Sequence, residues 1–173
     1  VAFFWKPLPD MHAMKQVFAG AGQCPPDSTK VVPSSDQDDA MRLTAEDIAA
    51  YRDHGYLIPS YRLEPEFLQS LQQALDQLIR DNPGVRPEKL VSAHIEGQND
   101  EGVKGSQRFL ELAMHKPIVD MVEQLIGPDV ILWGCHVFCK PAAEGFETPW
   151  HQDGHYWPIR PMATCTVWVA LEP

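Results

Sequence analysis

The heptapeptide Trp150-His151-Gln152-Asp153-Gly154-His155-Tyr156 is the stretch on which the reading of this chain turns. His151 and Asp153 stand two residues apart. On extended backbone, residues i and i+2 project to the same side, so an imidazole and a carboxylate converge on one point. They make two-thirds of a 2-His-1-carboxylate set, which holds Fe(II) by one face and leaves coordination positions open. His155 joins the same face if the strand continues that far. A His-x-Asp triplet also arises by chance, so the flanks decide how much weight it carries.

Upstream, residues 130–140 read as the clearest strand, followed by Lys140-Pro141 and a short polar loop. Alternation places Val130, Leu132, Gly134, His136, Phe138 and Lys140 on one face. Ile131, Trp133, Cys135, Val137 and Cys139 fall on the other. Both faces are largely apolar, which predicts a strand covered on both sides. A His and a Lys on such a face need a reason, because an unpaired buried charge is costly, and an anionic ligand supplies one. Downstream come Tyr156-Trp157-Pro158 and a β-branched strand at 164–171, with Thr164, Thr166, Trp168 and Ala170 on one face.

The remainder of the chain sets the boundaries. Its 173 residues suit one domain, and 44% hydrophobic residues suffice for a core. A formal charge of −10 argues against nucleic acid or an anionic membrane as the main partner. The longest nearly apolar run, 130–139, is too short to span a bilayer. Residues 1–5 lack the basic leader and long apolar core of a signal peptide. Cys24, Cys135, Cys139 and Cys165 form no CxxC pair; buried free thiols in a reducing cytoplasm are the expectation.

Residues 1–40 are Pro-rich and aperiodic with an acidic end, and read as a flexible extension. Met41 stands directly before a helix start, so these residues are either a native extension or upstream sequence read through. Thr44 is an N-cap with Asp47 at N3, predicting a helix over 45–54 that Gly55 ends. Residues 56–59 read as a short strand. Phe67, Leu68, Leu71, Leu75, Leu78 and Ile79 predict a helix over 65–80 that packs on a sheet and ends at Asn82-Pro83-Gly84. A strand is expected within 89–95, a polar loop at 100–105, and helices at 107–115 and 117–126, the last ended by Gly127-Pro128.

His151-Gln152-Asp153, then His155-Tyr156-Trp157-Pro158 and Arg160-Pro161, resemble the signature of the phytanoyl-CoA dioxygenase family of Fe(II)- and 2-oxoglutarate-dependent oxygenases. The opening Leu43-Thr44, Ile48 and Gly55-Tyr56 resembles the start of that family's domain. The resemblance implies an α+β fold: a double-stranded β-helix (jelly-roll, cupin-like) with N-terminal helices. It implies His151 and Asp153 as iron ligands and Gln152 beside the cosubstrate. Trp168 would line the 2-oxoglutarate pocket, and His136 and Lys140 would contact that cosubstrate. Each has a structural counterpart. Trp168 also suits core filling, His136 a ring bonded to a backbone carbonyl, Lys140 a solvated strand end, and His155 a third metal ligand. His94 aligns loosely. Because Asp153 is present, where related iron halogenases lack an acid, the resemblance implies hydroxylation of an unactivated C–H bond in a small organic or acyl substrate. Molecular oxygen is consumed and 2-oxoglutarate becomes succinate and carbon dioxide.

The resemblance covers 41–173. The family continues with strands that carry a second iron-binding His and a 2-oxoglutarate-clamping Arg, and neither has a candidate here. A jelly roll closes with about eight strands, of which about half are present. The expectation is a domain truncated before its C-terminal strands, binding metal weakly and turning over little. Two other classes remain open: a non-catalytic binding module, and a cupin-like metal protein of other chemistry that uses His155.

Overall fold

The computed structural model describes residues 1–7, 42–141, 143–159 and 163–172, with the backbone alone for 3–7. In chain order the elements are β1 (Ala2–Pro7), α1 (Ala45–His54), α2 (Pro65–Asp81), β2 (Leu90–Val91), β3 (Gly97–Gln98), β4 (Lys104–Gly105), α3 (Gln107–Ala113), α4 (Lys116–Ile126), β5 (Val130–Val137) and β6 (Cys165–Trp168). Short 3-10 turns occupy Pro87–Lys89 and Asp153–His155.

The helices form where local chemistry asks for them. Thr44 accepts from the Asp47 amide at 3.1 Å, while the Asp47 carboxylate accepts from the Thr44 amide at 2.9 Å. This is a complete capping box, in which two orphan donors are satisfied reciprocally. Gly55 ends α1 in the left-handed region (φ 80°), where a Cβ would be strained. In α2 the apolar stripe buries Leu71 and Leu78, with Phe67, Leu68, Leu75 and Ile79 packed beside them. Each fully buried leucine contributes about 1.5–3 kcal/mol. The α2 C-cap, Asn82, is only 5% exposed. Its amide group donates to Leu78 O (2.8 Å) and Lys104 O (3.0 Å), and its Oδ1 accepts from the Lys104 amide (2.8 Å). One side chain therefore both ends the helix and ties it to β4.

A four-stranded sheet runs in the order β2-β5-β1-β6, with every neighbouring pair antiparallel. β3 and β4 make a separate small ribbon. α4 packs across β1, β5 and β6, and α3 packs on β5. Between helices and sheet lies one core that joins Leu71, Leu78, Phe109, Leu112, Ile118 and Val122 to Cys135, Val137 and Cys165. Among the described residues, no helix is long and apolar enough to cross a membrane. Cys135, Cys139 and Cys165 are free thiols; burial pushes the Cys135 thiol up to about 12.

Several expectations change. Residues 2–7, read as part of an aperiodic extension, form the strand between β5 and β6; 8–41 lie outside the described residues. Residues 56–59 are not a strand, and Tyr56 and Ile58 stand exposed with no ladder partner among the described residues. The strand expected within 89–95 shrinks to β2, and the loop at 100–105 contributes β4.

The alternation along β5 also breaks. Phe4 faces Gly134 and Trp5 faces Leu132, which leaves Trp133 as an extra, bulged residue. A bulge shifts the side-chain phase by one. Val130 and Leu132 therefore pack on the core together with Cys135, Val137 and Cys139, while Trp133 is pushed outward. Among the described residues, helices cover only one face of β5. The face carrying His136 and Phe138 is open, and Phe138 and Trp168 are exposed there. The apolar character of both faces does not bring two-sided burial, because apolar side chains here line an open cleft as well as a core.

Candidate functional site

The open face of the sheet supplies the floor of the site. His136 and Phe138 follow each other on the solvent side of β5 and just beyond it, with their rings stacked at 4.1 Å and 26°. Phe138 in turn packs on Trp168, at the end of β6, at 4.7 Å. β1 separates the two strands, so this aromatic contact reaches across it. Such pairs contribute about 0.5–1.5 kcal/mol beyond their burial.

The His-x-Asp pair comes from the segment that links β5 to β6. His151 and Asp153 do meet: His151 Nε2 lies 3.3 Å from Asp153 Oδ1. They are not on a strand, as their spacing had predicted. Gln152 alone is extended (φ −118°, ψ 123°), and a 3-10 turn begins at Asp153. One extended residue between them is enough to bring i and i+2 to one side. The turn then breaks the alternation, so His155 does not join the pair. Its ring stands edge-on to Tyr156 at 5.2 Å instead. Among the described residues, no group of three metal-ligating side chains forms.

The His151 ring is oriented from behind. Its Nδ1 lies 2.8 Å from the Pro149 carbonyl, an acceptor only, so Nδ1 carries the proton and donates. In the neutral ring Nε2 then presents a lone pair. That lone pair faces a carboxylate oxygen 3.3 Å away, and either a proton on Nε2 or a metal ion held between the two makes the contact attractive. Two donors each about 2.1 Å from one cation and cis to each other stand about 3.0 Å apart in an octahedral site and about 3.4 Å apart in a tetrahedral one. The observed spacing falls between these, and an N–H···O=C bond behind a ligating imidazole is the usual support for such a site. The pair is half-exposed, with side chains 40% and 41% accessible, so a metal has an entry path.

His151 and Asp153 share a cleft of about 520 Å³ with Phe138, Lys140, Thr148 and Trp168. Four of the six residues expected from the sequence therefore line one cavity. Gln152 is exposed beside it. His136 lies one ring behind the wall, bonded through Nε2 to the Glu88 carbonyl at 3.2 Å, and burial pulls its pKa down. His94 does not line the cleft. Its Nδ1 is buried without a described partner. Arg160 and Pro161 lie outside the described residues. Phe138 and Thr148 were not anticipated. Phe138 had a signal, lying between His136 and Lys140 in the alternation; Thr148 sits in an irregular loop and had none.

The model of one protein family, Phytanoyl-CoA dioxygenase (PhyH), matches residues 51–173. The chain belongs to this family. A search of curated proteins and a search of solved structures each returned no match. The phytanoyl-CoA dioxygenase match runs from the last turn of α1 through β6 and takes in the whole cleft, and the family is one of dioxygenase-type enzymes with a cupin or jelly-roll fold. The described residues contribute mixed helix and strand to it, as one open sheet with helices on one face.

Proposed function

We propose that this chain supplies active-site residues of an Fe(II)- and 2-oxoglutarate-dependent hydroxylase on a double-stranded β-helix. The observation that supports this best is the His151–Asp153 pair. Its Nδ1–H is engaged by Pro149 O, and its Nε2 is aimed at a carboxylate oxygen 3.3 Å away.

In this reading His151 Nε2 and an Asp153 oxygen would hold the iron. The Pro149 carbonyl keeps the imidazole in the tautomer that leaves Nε2 free. The Lys140 ammonium lines the same cleft and has no ion-pair partner among the described residues, which suits a 2-oxoglutarate carboxylate. Thr148 offers a hydroxyl to the same anion. Phe138 and Trp168 wall the cleft and lower its local dielectric, which strengthens these contacts. Gln152 stands at the rim beside the cosubstrate. His136 backs the wall through Phe138 and reaches 2-oxoglutarate only if its bond to Glu88 is given up. Iron with 2-oxoglutarate bound would supply the oxidising chemistry, coupling reduction of O2 and conversion of 2-oxoglutarate to succinate and carbon dioxide to hydroxylation of a C–H bond in a small organic or acyl substrate. The −10 charge favours such a substrate over nucleic acid or a membrane surface, and the free thiols Cys135, Cys139 and Cys165 suit a reducing cytoplasm.

Mn(II), a redox-inert stand-in for Fe(II), tests the reading. Paramagnetic broadening in NMR spectra is expected to centre on His151 and Asp153, to vanish in His151→Ala, and to appear at lower Mn(II) when 2-oxoglutarate is added. Two protein donors among the described residues make the binding weak, so succinate release by residues 1–173 should stay near background. Broadening centred away from residues 148–153, or insensitive to 2-oxoglutarate, refutes the proposal.

A further inference from the structure

The pair His151–Asp153 sits in a long irregular connection, and something must hold that connection in place. After β5 the chain folds back on itself: the Gly145 amide donates to Pro141 O at 3.1 Å. A Cβ on Gly145 would come within 3.0 Å of Lys140 Cβ and 3.2 Å of Pro141 O. The turn is therefore pressed against Lys140, itself a cleft residue. Beyond it the turn is fastened to the segment that leads into β2. Arg86 Nη2 donates to Glu144 O at 3.2 Å and to Glu88 Oε1 at 3.0 Å. Glu88 Oε1 also accepts from the Phe146 amide at 3.3 Å. The Arg86 guanidinium lies 4.0 Å over the Phe146 ring.

The Glu88 side chain is 11% exposed and the Arg86 side chain 44%, so each contact is open to water and worth little alone; the hold on the loop comes from three hydrogen bonds and one ring contact converging on the same turn. The base of the latch is firm. The Lys89 amide donates to Arg86 O, and Leu90 and Val91 pair with Val137 and His136 of β5. The tip of the latch, Phe146, is two residues before Thr148 and three before Pro149, whose carbonyl orients His151.

We infer that Arg86 and Glu88 are positioning residues for the His151–Asp153 pair, acting through Glu144 and Phe146 on the loop that carries Thr148 and Pro149. The inference rests on the reading of His151 and Asp153 as metal donors. A metal ligand is only as well placed as its support, and outer contacts of this kind change metal affinity by about 10–100-fold.

Wild type, Glu88→Ala and Arg86→Lys are compared by amide hydrogen exchange, by Mn(II) titration and by the ring-nitrogen shifts of His151. In Glu88→Ala, exchange over 144–151 is expected to rise about tenfold while α2 and α4 stay protected. Mn(II) affinity falls about tenfold, and the His151 signal loses its Nδ1–H donor signature. Arg86→Lys keeps the charge but loses the planar group over Phe146, so it shifts all three readouts the same way by less. Faster loop exchange with Mn(II) affinity and His151 shifts unchanged overturns the inference. If Glu88→Ala unfolds the sheet, the exposed Arg86→Lys decides alone by the same criteria. If wild type binds no Mn(II) at His151, the proposed function fails, and the positioning role is then judged by the His151 ring shifts. A response to either substitution supports it, and no response overturns it.

Discussion

Replacing Asn82 by Ala should cost more than any other single polar substitution outside the site. Three hydrogen bonds of 2.8, 2.8 and 3.0 Å are lost, all to main-chain groups. A net value of about 1 kcal/mol each sets a base near 3 kcal/mol. Leu78 O lies in the last turn of α2, where carbonyls lack an intrahelical partner, so it is left without its partner. The Lys104 amide loses its acceptor, but Lys104 is exposed and water replaces part of that loss. The expected cost is about 2–4 kcal/mol, or a Tm drop of roughly 4–16 °C for a domain of this size. Urea unfolding followed by circular dichroism reads it as a lower midpoint at constant m. Asn82→Asp is the sharper variant. It keeps the acceptor for the Lys104 amide but sets an oxygen against Leu78 O and Lys104 O, and it buries a charge, so it should lose at least as much at pH 7. A change below about 1 kcal/mol in Asn82→Ala would refute the idea that this side chain ties α2 to β4.

Three other outcomes follow from the same geometry. His94, His115 and His136 have pKa values pulled below 6.5 by burial. The unfolded chain then binds protons first, so their contribution to stability is lost as pH falls through about 6.5 towards the lower folded values; Tm measured across pH 5 to 8 should decline on the acid side, less steeply in His136→Leu. Thr44→Ala removes one half of the capping box and should cost about 1 kcal/mol in a denaturant midpoint, with the Mn(II) response at His151 unchanged. Trp168→Leu leaves stability within about 1.5 kcal/mol, because the ring is 64% exposed, but should weaken the 2-oxoglutarate effect on Mn(II) broadening several-fold.

Much of this molecule is written in local sequence. The capping box at Thr44 and Asp47, the Gly55 stop and the stripe from Phe67 to Ile79 specify helices because their partners lie within four residues. The His151–Asp153 pair is legible for the same reason: one extended residue, Gln152, settles which way both side chains point. The convergence needs only that one extended residue and not a whole strand.

What spacing could not convey is set by contacts between distant parts of the chain. The strand at Ala2–Pro7 pairs with β5 and β6, more than a hundred residues away, and nothing in its aperiodic surroundings announces those partners. The bulge at Trp133 exists only in that pairing, and it decides which β5 residues enter the core. The cleft forms because Trp168 reaches Phe138 across an intervening strand, and its loop is held by Arg86 and Glu88, separated from Glu144 and Phe146 by 58 residues. Sequence alone determined the convergence of His151 and Asp153 and the family, because both rest on short-range patterns. Tertiary structure decided the pocket, its aromatic wall and the latch, because their free energy comes from surfaces that meet only after the chain has folded.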